Sequence, residues 1–189
     1  MSDITETIQE TVEKAGESKL NAKVALLVAI TATFMALCNV KDGNVVQAMY
    51  QAQSRGVDAW SYYQAKSTKQ AIAEEALDQL KAANNPANAE MIRKYEEKVA
   101  RYEKEKAELK AKAEGFEKEY DDINVFDDQF DMTEAFLTIA MTMFGITALT
   151  QNKRLFVFAC VVSGSGIVLG VAGFLHIPLH SDFISKILG

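Results

Sequence analysis

Three long uncharged stretches dominate the pattern of apolar and polar positions along this chain. Residues 24–40, 135–152 and 155–175 contain no Asp, Glu, Lys or Arg over 17, 18 and 21 residues. A helix that crosses a bilayer needs about 17–25 mostly apolar residues. The pattern therefore predicts three transmembrane helices, at residues 20–40, 132–150 and 155–177.

A seven-residue repeat of apolar positions lies between the first and second uncharged stretches. Its two rows alternate at spacings of three and four residues, and nine of its ten positions are apolar or aromatic. The ten positions are Ile92, Tyr95, Val99, Tyr102, Lys106, Leu109, Ala113, Phe116, Tyr120 and Ile123. Five such heptads with charged neighbours indicate a coiled coil. The same rows continue through Phe130 and Leu137, so we expect this helix to enter the second span unbroken.

A second, weaker repeat of mostly small residues starts at Val45 and extends to Leu80. We expect a polar break before it, at residues 41–44, and a chain reversal at residues 82–89, where the sequence is AANNPANA. The two arms are of similar length, about 60 Å each as helices. The sequence therefore predicts an all-α integral membrane protein with three transmembrane helices. A long antiparallel coiled-coil hairpin, residues 41–131, lies between the first and second.

The middle of the predicted hairpin contains the segment WSYYQAKSTKQAI, residues 60–72. With the turn centred near Pro86, the segment from Trp60 to Tyr63 lies level with roughly Leu109 to Lys112. Its aromatic residues, including Tyr62, are expected to cover the seam around Leu109, Ala113 and Phe116. Lys66 lies near the level of Lys106. Two lysines in one layer are expected to loosen the seam there, or to pair with acidic residues such as Glu105.

Two of the predicted spans have small residues along one face, which lets helix backbones approach closely in a membrane. In the first span the face consists of Ala25, Ala29, Ala32 and Ala36, and in the third of Ser163, Gly166, Gly170 and Gly173. We interpret both faces as helix-packing surfaces. The alternative is that Ala and Gly are simply common in membrane helices.

Short basic segments set the expected orientation of the chain. The loop at residues 151–154 contains Lys153 and Arg154, and Lys and Arg in short loops stay on the cytoplasmic side. We therefore expect residues 1–19 to form a cytoplasmic amphipathic segment, with the hairpin and the C-terminus on the opposite side. Residues 178–189 are predicted to form an interfacial C-terminal helix.

Charge and composition exclude several function classes. The net charge of −6 argues against nucleic-acid binding, which selects basic patches. His176 and His180 flank Pro178, which interrupts a helix, and no ligand cluster near them suits zinc. Five Asp at residues 121–131 lack the spacing of a calcium loop and are interpreted as a solvated acidic rim. No nucleophile–base arrangement or phosphate-binding motif occurs. The sequence thus predicts no enzyme activity, no cofactor, no metal and no small-molecule substrate.

The segment at residues 60–67 resembles a family of uncharacterised bacterial membrane proteins, domain of unknown function 4337 (DUF4337). The matching residues are Trp60, Tyr62, Tyr63, Gln64, Ala65, Lys66 and Ser67. The order of elements is also similar to that family, with an N-terminal span, a helical middle and two C-terminal spans. The resemblance implies a multi-pass protein of the bacterial inner membrane and implies no activity.

These observations lead to one functional prediction and one alternative. The chain is predicted to be a non-enzymatic inner-membrane scaffold or assembly protein, whose partners are the lipid bilayer and either further copies of itself or a larger membrane complex. It would associate through its hairpin and its small-residue transmembrane faces. The alternative is a pore-forming or accessory subunit of a transport system. No ionisable residue lies deep in any predicted span, which weighs against a coupled transporter.

Overall fold

The computed structural model of the chain describes side chains over residues 19–179. Over residues 2–179, whose backbone the structure describes, the chain forms three α-helices: α1 (Ser2–Ala82), α2 (Ala89–Thr150) and α3 (Lys153–Phe174), with a 3₁₀ turn at Pro86–Asn88. Over the described range the fold is all-α, and its two long helices pack together. The predicted amphipathic segment at residues 1–19 and the predicted C-terminal helix at residues 178–189 lie, except for Lys19, Pro178 and Leu179, outside the residues whose side chains the structure describes.

The predicted polar break at residues 41–44 is wrong, because α1 continues through it without interruption. A single glycine costs a helix only about 1 kcal/mol, and no glycine of the described chain has a positive φ. Cys38 and Val45 are buried on either side of the segment. Packing of those neighbours offsets the weak helix propensity of Gly43 and Asn44. By contrast, α2 is unbroken from Ala89 to Thr150, as its heptad rows predicted.

The reversal between α1 and α2 is a short turn built from asparagines. Asn84 has φ 44°, a left-handed conformation that Asn tolerates better than most residues. Asn85 is extended, and its side-chain oxygen accepts a hydrogen bond from the backbone N–H of Ala87 at 3.0 Å. Pro86 follows at the first position of the 3₁₀ turn, where its missing N–H is not needed. The sequence AANNPANA therefore ends one helix and begins the next.

The chain divides into two compact units. We call Met1–Val46 together with Asn124–Gly189 the bundle unit, and Gln47–Ile123 the hairpin unit. The hairpin unit consists of parts of α1 and α2. The bundle unit contains the other parts of those helices and the whole of α3.

Aromatic side chains fill the core of the bundle unit. Phe144 is fully buried and lies 6.2 Å from Phe156, measured between ring centroids. Phe130 is also buried, and its ring meets Phe174 edge-on at 5.7 Å. Residues from all three helices surround these rings, including Val24 of α1 and Ala159 of α3.

Both ends of α3 are capped, the first by a side chain and the second by backbone hydrogen bonds. The loop between α2 and α3 comprises only residues 151 and 152, because α3 begins at Lys153, within the predicted loop at 151–154. Asn152 caps α3 by accepting a hydrogen bond from the Arg154 N–H at 2.9 Å. At the other end of α3, His176 has φ 56° and its backbone N–H donates a hydrogen bond to Gly173 O. The backbone N–H of Ile177 donates to Ala172 O. This pair of bonds is a Schellman motif, with His176 at the position that is usually glycine.

Candidate interaction surfaces

The hairpin unit buries the heptad positions of α2 and leaves the others in solvent. All ten predicted seam positions, from Ile92 to Ile123, are buried or half-buried. Among the remaining residues of 92–123, only Glu105 is not exposed. Residue numbers rise along α1 and fall along α2 from one contact between the helices to the next. The contacts are Trp60 with Glu117, Lys66 with Glu105 and Lys81 with Glu96. The helices are therefore antiparallel in this unit.

A groove beside Trp60 is a concave surface of the hairpin unit. It has a volume of about 240 Å³. Its lining includes the small residues Ala52 and Gly56 of α1 and the aromatic residues Phe116 and Tyr120 of α2. A Cβ atom added to Gly56 would meet the Cβ of Phe116 at 3.6 Å, which is ordinary van der Waals contact.

Trp60 closes one end of this groove with a hydrogen bond. Its Nε1–H donates to Glu117 Oε1 at 2.7 Å, and its ring meets Tyr63 edge-on at 5.4 Å. The sequence placed Trp60 level with about Lys112, five residues before Glu117. Helical side chains lean toward the N-terminus of their own helix. In an antiparallel pair both side chains therefore lean toward each other, and Trp60 reaches a residue more than one turn beyond its own level.

The two lysines in the middle of the seam do not leave a loose layer. Lys66 Nζ lies 2.5 Å from Glu105 Oε2 and 5.3 Å from the ring centre of Tyr102. Lys106 Nζ lies 5.4 Å from the ring centre of Tyr63. Each helix thus places an ammonium over a tyrosine of the other helix, a cation–π contact worth about 0.5–2 kcal/mol. The hydrogen bond from Lys66 also lowers the pKa of Glu105.

Only half of the WSYYQAKS segment faces the seam. Trp60, Tyr63 and Lys66 make the contacts just described. Tyr62 was predicted to belong to the same surface, but its side chain is 64% exposed. Because Tyr62 follows Trp60 by two residues, it lies roughly 200° around the helix from it. Its position is therefore on the outside of the hairpin unit.

The small-residue face of α3 packs inside the bundle unit. A Cβ atom added to Gly166 would lie 2.8 Å from Leu137 Cδ2, and one on Gly173 would lie 2.9 Å from the Phe130 ring. At Gly170 the same atom would lie 2.8 Å from Phe34. At such distances the facing side chains would have to shift to admit even a methyl group, so glycine allows the closest approach at these positions. Ser163 lies on the same face, and its hydroxyl bonds the Thr31 hydroxyl of α1 at 3.0 Å.

The alanine face of α1 has the opposite location. Ala25, Ala29, Ala32 and Ala36 are all exposed and contact no other helix of the bundle unit closely enough to be covered. Of the two predicted helix-packing faces, that of α3 packs within the chain. Packing of the alanine face of α1 stays a prediction.

Apolar side chains also cover most of the outside of the bundle unit. Each of the three helices contains an 18-residue window long and apolar enough to cross a membrane, and only 17%, 33% and 28% of those windows are buried. Large exposed side chains occur on every helix; they include Leu26, Leu37, Leu149, Val157, Val161 and Val168. A protein surrounded by water rarely exposes so large a continuous apolar surface.

Gln129 is a buried polar residue that sequence reasoning missed. Its Nε2 donates to Leu169 O at 2.8 Å and to Ile177 O at 3.4 Å, and its Oε1 accepts from Leu179 N at 3.0 Å. The side chain is fully buried. It therefore ties the segment after α3 to α2. The sequence held one indication of this role: Gln129 is an amide, which can both donate and accept hydrogen bonds, among aspartates that can only accept them.

Carboxyl groups of α1 and α2 meet in the bundle unit. Burial, followed by the charges of Asp127 and Asp131, raises the pKa of Asp42 from 3.8 to about 6. The two carboxyls of Asp42 and Asp127 share a hydrogen bond, which raises the pKa of Asp42 and lowers that of Asp127. Burial is the main cause of the raised pKa of Asp127 and of Asp131. The predicted acidic rim is thus partly buried against α1, which the sequence did not indicate.

A family described as "Domain of unknown function (DUF4337)" matches residues 20–176. This range contains α2 and α3 whole and α1 from residue 20 onward. No curated protein and no solved structure matches the chain.

Proposed function

This chain belongs to the DUF4337 family, and from that premise and the geometry above we propose that it is a non-enzymatic assembly protein of the bacterial inner membrane. In this proposal the bundle unit is embedded in lipid. The hairpin unit binds further copies of the chain or a larger membrane complex. The observation that carries the proposal is the exposed apolar surface of the bundle unit, of which lipid is the natural solvent.

The interior of the bundle unit supports assembly over transport. Among the residues that the structure describes, its buried polar side chains are Thr31, Gln129, Thr133, Thr147 and Ser163, all neutral. The Thr31–Ser163 bond joins α1 to α3, and Gln129 joins α2 to the end of α3. Neutral, mutually bonded groups fix helices in place. Ion and proton pathways instead use ionisable groups within the membrane, whereas the half-buried carboxyls of Asp42 and Asp127 lie outside the predicted spans.

The hairpin unit supports the binding role. Its seam is held by aromatic and aliphatic side chains, and it retains large exposed apolar residues such as Tyr50, Val57 and Ile72. Stable antiparallel helices give a rigid scaffold on which such residues can meet a partner with little ordering cost. The basic residues Lys153 and Arg154 at the start of α3 favour a cytoplasmic location for that end, with the hairpin and the C-terminus periplasmic.

Co-purification of two differently tagged copies tests the proposal. Both copies are expressed together, extracted from membranes in mild detergent and captured through one tag. We expect the second tag, or another membrane protein in fixed ratio, to be retained. Phe116→Asp places a charge in the buried seam and should abolish retention. Gly115→Asp introduces the same charge at the neighbouring exposed position and should not. Capture of the tagged copy alone would contradict the proposal.

The orientation has its own test. Asn85→Cys, at the turn of the hairpin unit, and Asn152→Cys, before α3, are exposed positions for an impermeant thiol reagent. Intact cells with a permeabilised outer membrane should label residue 85 and not residue 152. The reverse labelling would contradict the assigned sidedness and leave the assembly role standing.

A further inference from the structure

The groove beside Trp60 lies where small residues of α1 stand opposite aromatic residues of α2. Ala52, Gly56 and Trp60 follow one another at spacings of four residues, so they share one face of α1. A Cβ atom added to Gly56 would find only the Cβ of Phe116 within 4 Å, at 3.6 Å. Because neither Ala52 nor Gly56 extends a long side chain toward α2, a groove remains between the helices at this level, and Trp60 bounds it.

The α2 side of the groove combines aromatic rings with carboxylates. Phe116 and Tyr120 lie four residues apart, and so do Glu117 and Asp121. All four residues line the groove. Residues four apart are neighbours on one face of a helix. Therefore α2 presents a strip of two aromatic rings directly beside a strip of two carboxylates.

The lining of the groove is acidic. Its nine residues include Glu117 and Asp121 and no Lys, Arg or His. Among the residues that the structure describes, neither carboxylate belongs to a salt bridge, whereas Glu105 and Glu114 of the same helix each pair with a lysine. The Trp60 Nε1–H donates to Glu117 Oε1 at 2.7 Å. This bond holds the carboxylate beside the rings and leaves its second oxygen for another partner.

We propose that this groove binds a small organic ammonium ion. The rings of Trp, Tyr and Phe attract a cation that lies within about 6 Å of the ring centre. Glu117 and Asp121 supply the opposite charge. The volume of about 240 Å³ is smaller than the roughly 300–1,000 Å³ of pockets for drug-sized molecules. The ligand is therefore an ion of a few heavy atoms, with apolar carbon around its charge.

The mixed lining favours an organic cation over water or a metal ion. Water solvates the carboxylates but gains nothing from the rings of Phe116 and Tyr120. A hard metal cation such as Ca²⁺ takes about six to eight oxygen ligands, and this lining offers it two carboxylates among apolar carbon. Methyl groups on an ammonium nitrogen instead contact the rings while the charge faces the carboxylates. Both halves of the lining are then satisfied by one ligand.

Fluorescence of the full chain in a nonionic detergent tests the proposal, because Trp60 is the only tryptophan and lines the groove. The probe is choline chloride, with sodium chloride of equal ionic strength as the reference. A second probe is the neutral alcohol in which a tert-butyl group replaces the trimethylammonium group of choline. Choline should change the Trp60 emission saturably, and the neutral alcohol should bind at least about tenfold more weakly.

Variants that each remove one charge locate the binding site. Glu117→Gln keeps an oxygen that can accept the Trp60 N–H, and Asp121→Asn removes the second carboxylate. Each variant should weaken choline binding about threefold, and the double variant about tenfold. Glu119→Gln is the matched control, because it removes the same charge from an exposed position about 200° around α2 from Glu117. It should bind choline as the wild type does.

Several results would overturn the proposal. They are the absence of a saturable change with choline, equal responses to choline and the neutral alcohol, and equal weakening in Glu119→Gln and Glu117→Gln. A response to a tetralysine peptide without one to choline would also overturn it, because the groove would then receive a basic protein segment. The proposed function stands in each case. Every lining residue belongs to the hairpin unit of a single chain, so ligand binding there does not depend on assembly.

Discussion

Gly166→Ala is the smallest change that tests how closely α2 and α3 pack in the bundle unit. The added methyl group would lie 2.8 Å from Leu137 Cδ2 and 3.1 Å from Phe136 Cβ. Leu137 is fully buried, so its side chain has no free space to move into. The Cβ of Phe136 can move only with the backbone of α2. The helices must therefore separate by several tenths of an ångström.

The cost follows from two opposing effects. Overpacking by one methyl group in a tight core destabilises by about 1–3 kcal/mol. Replacing glycine by alanine in a helix stabilises by up to about 1 kcal/mol. Gly164→Ala isolates the second effect, because a Cβ atom at Gly164 would meet nothing within 4 Å. We expect Gly166→Ala to be less stable than Gly164→Ala by about 1–3 kcal/mol.

Unfolding in mixed micelles of mild detergent and SDS measures this difference from the loss of helical signal. Adding Leu137→Ala to Gly166→Ala removes the opposing side chain. The double variant should therefore lose less stability than the sum of the two single changes. Equal stability of Gly166→Ala and Gly164→Ala, with additive effects in the double variant, would refute the close α2–α3 contact.

Two further predictions concern polar groups of the bundle unit. Because the pKa of Asp42 is raised to about 6, the folded state binds more protons than the unfolded state between pH 4 and about 6. The stability that protonated Asp42 contributes is complete below pH 4 and is lost as the pH rises through about 6. Relative to the wild type, Asp42→Asn should therefore become about 1 kcal/mol more stable as the pH rises from 4 to 7, a figure that allows for the partial exposure of Asp42. Thermal unfolding at the two pH values measures this difference. Asp78→Asn, at an exposed position, is the control. An equal increase in stability in that variant would show that burial of Asp42 is not the reason for the effect. Gln129→Leu should lower the free energy of unfolding by about 2 kcal/mol and speed hydrogen exchange of the Leu179 amide, because that amide loses its acceptor. Gln129→Glu keeps an acceptor oxygen and should protect the same amide. Equal exchange in the two variants would contradict the role of Gln129 in holding the segment after α3.

The heptad rows made the hairpin predictable from sequence. Repeated apolar positions report which face of a helix is covered, and Ile92 to Ile123 repeat often enough to leave one interpretation. The chain reversal was equally clear, because asparagine and proline determine local backbone geometry by themselves. Residues 41–44 misled because local propensity is weak compared with packing, and buried neighbours keep α1 helical there.

Contacts between distant parts of the chain were beyond the pattern. Small residues every three or four positions indicate close approach but not the partner, so Gly166 and Ala29 looked alike although one is covered within the chain and the other is exposed. Asp42 lies far in sequence from Asp127, and nothing local indicates that their carboxyls meet. Gln129 is similar, since its three partners lie at the far end of α3 and beyond it.

Native mass spectrometry of the chain released from membranes in mild detergent tests the central claim most directly. One chain has a mass of 20.9 kDa. If the protein is a membrane-embedded assembly protein, the main species should have the mass of two or more chains, or the mass of a complex with other membrane proteins. A lone 20.9 kDa species, obtained under conditions that preserve the helical hairpin, would contradict the account.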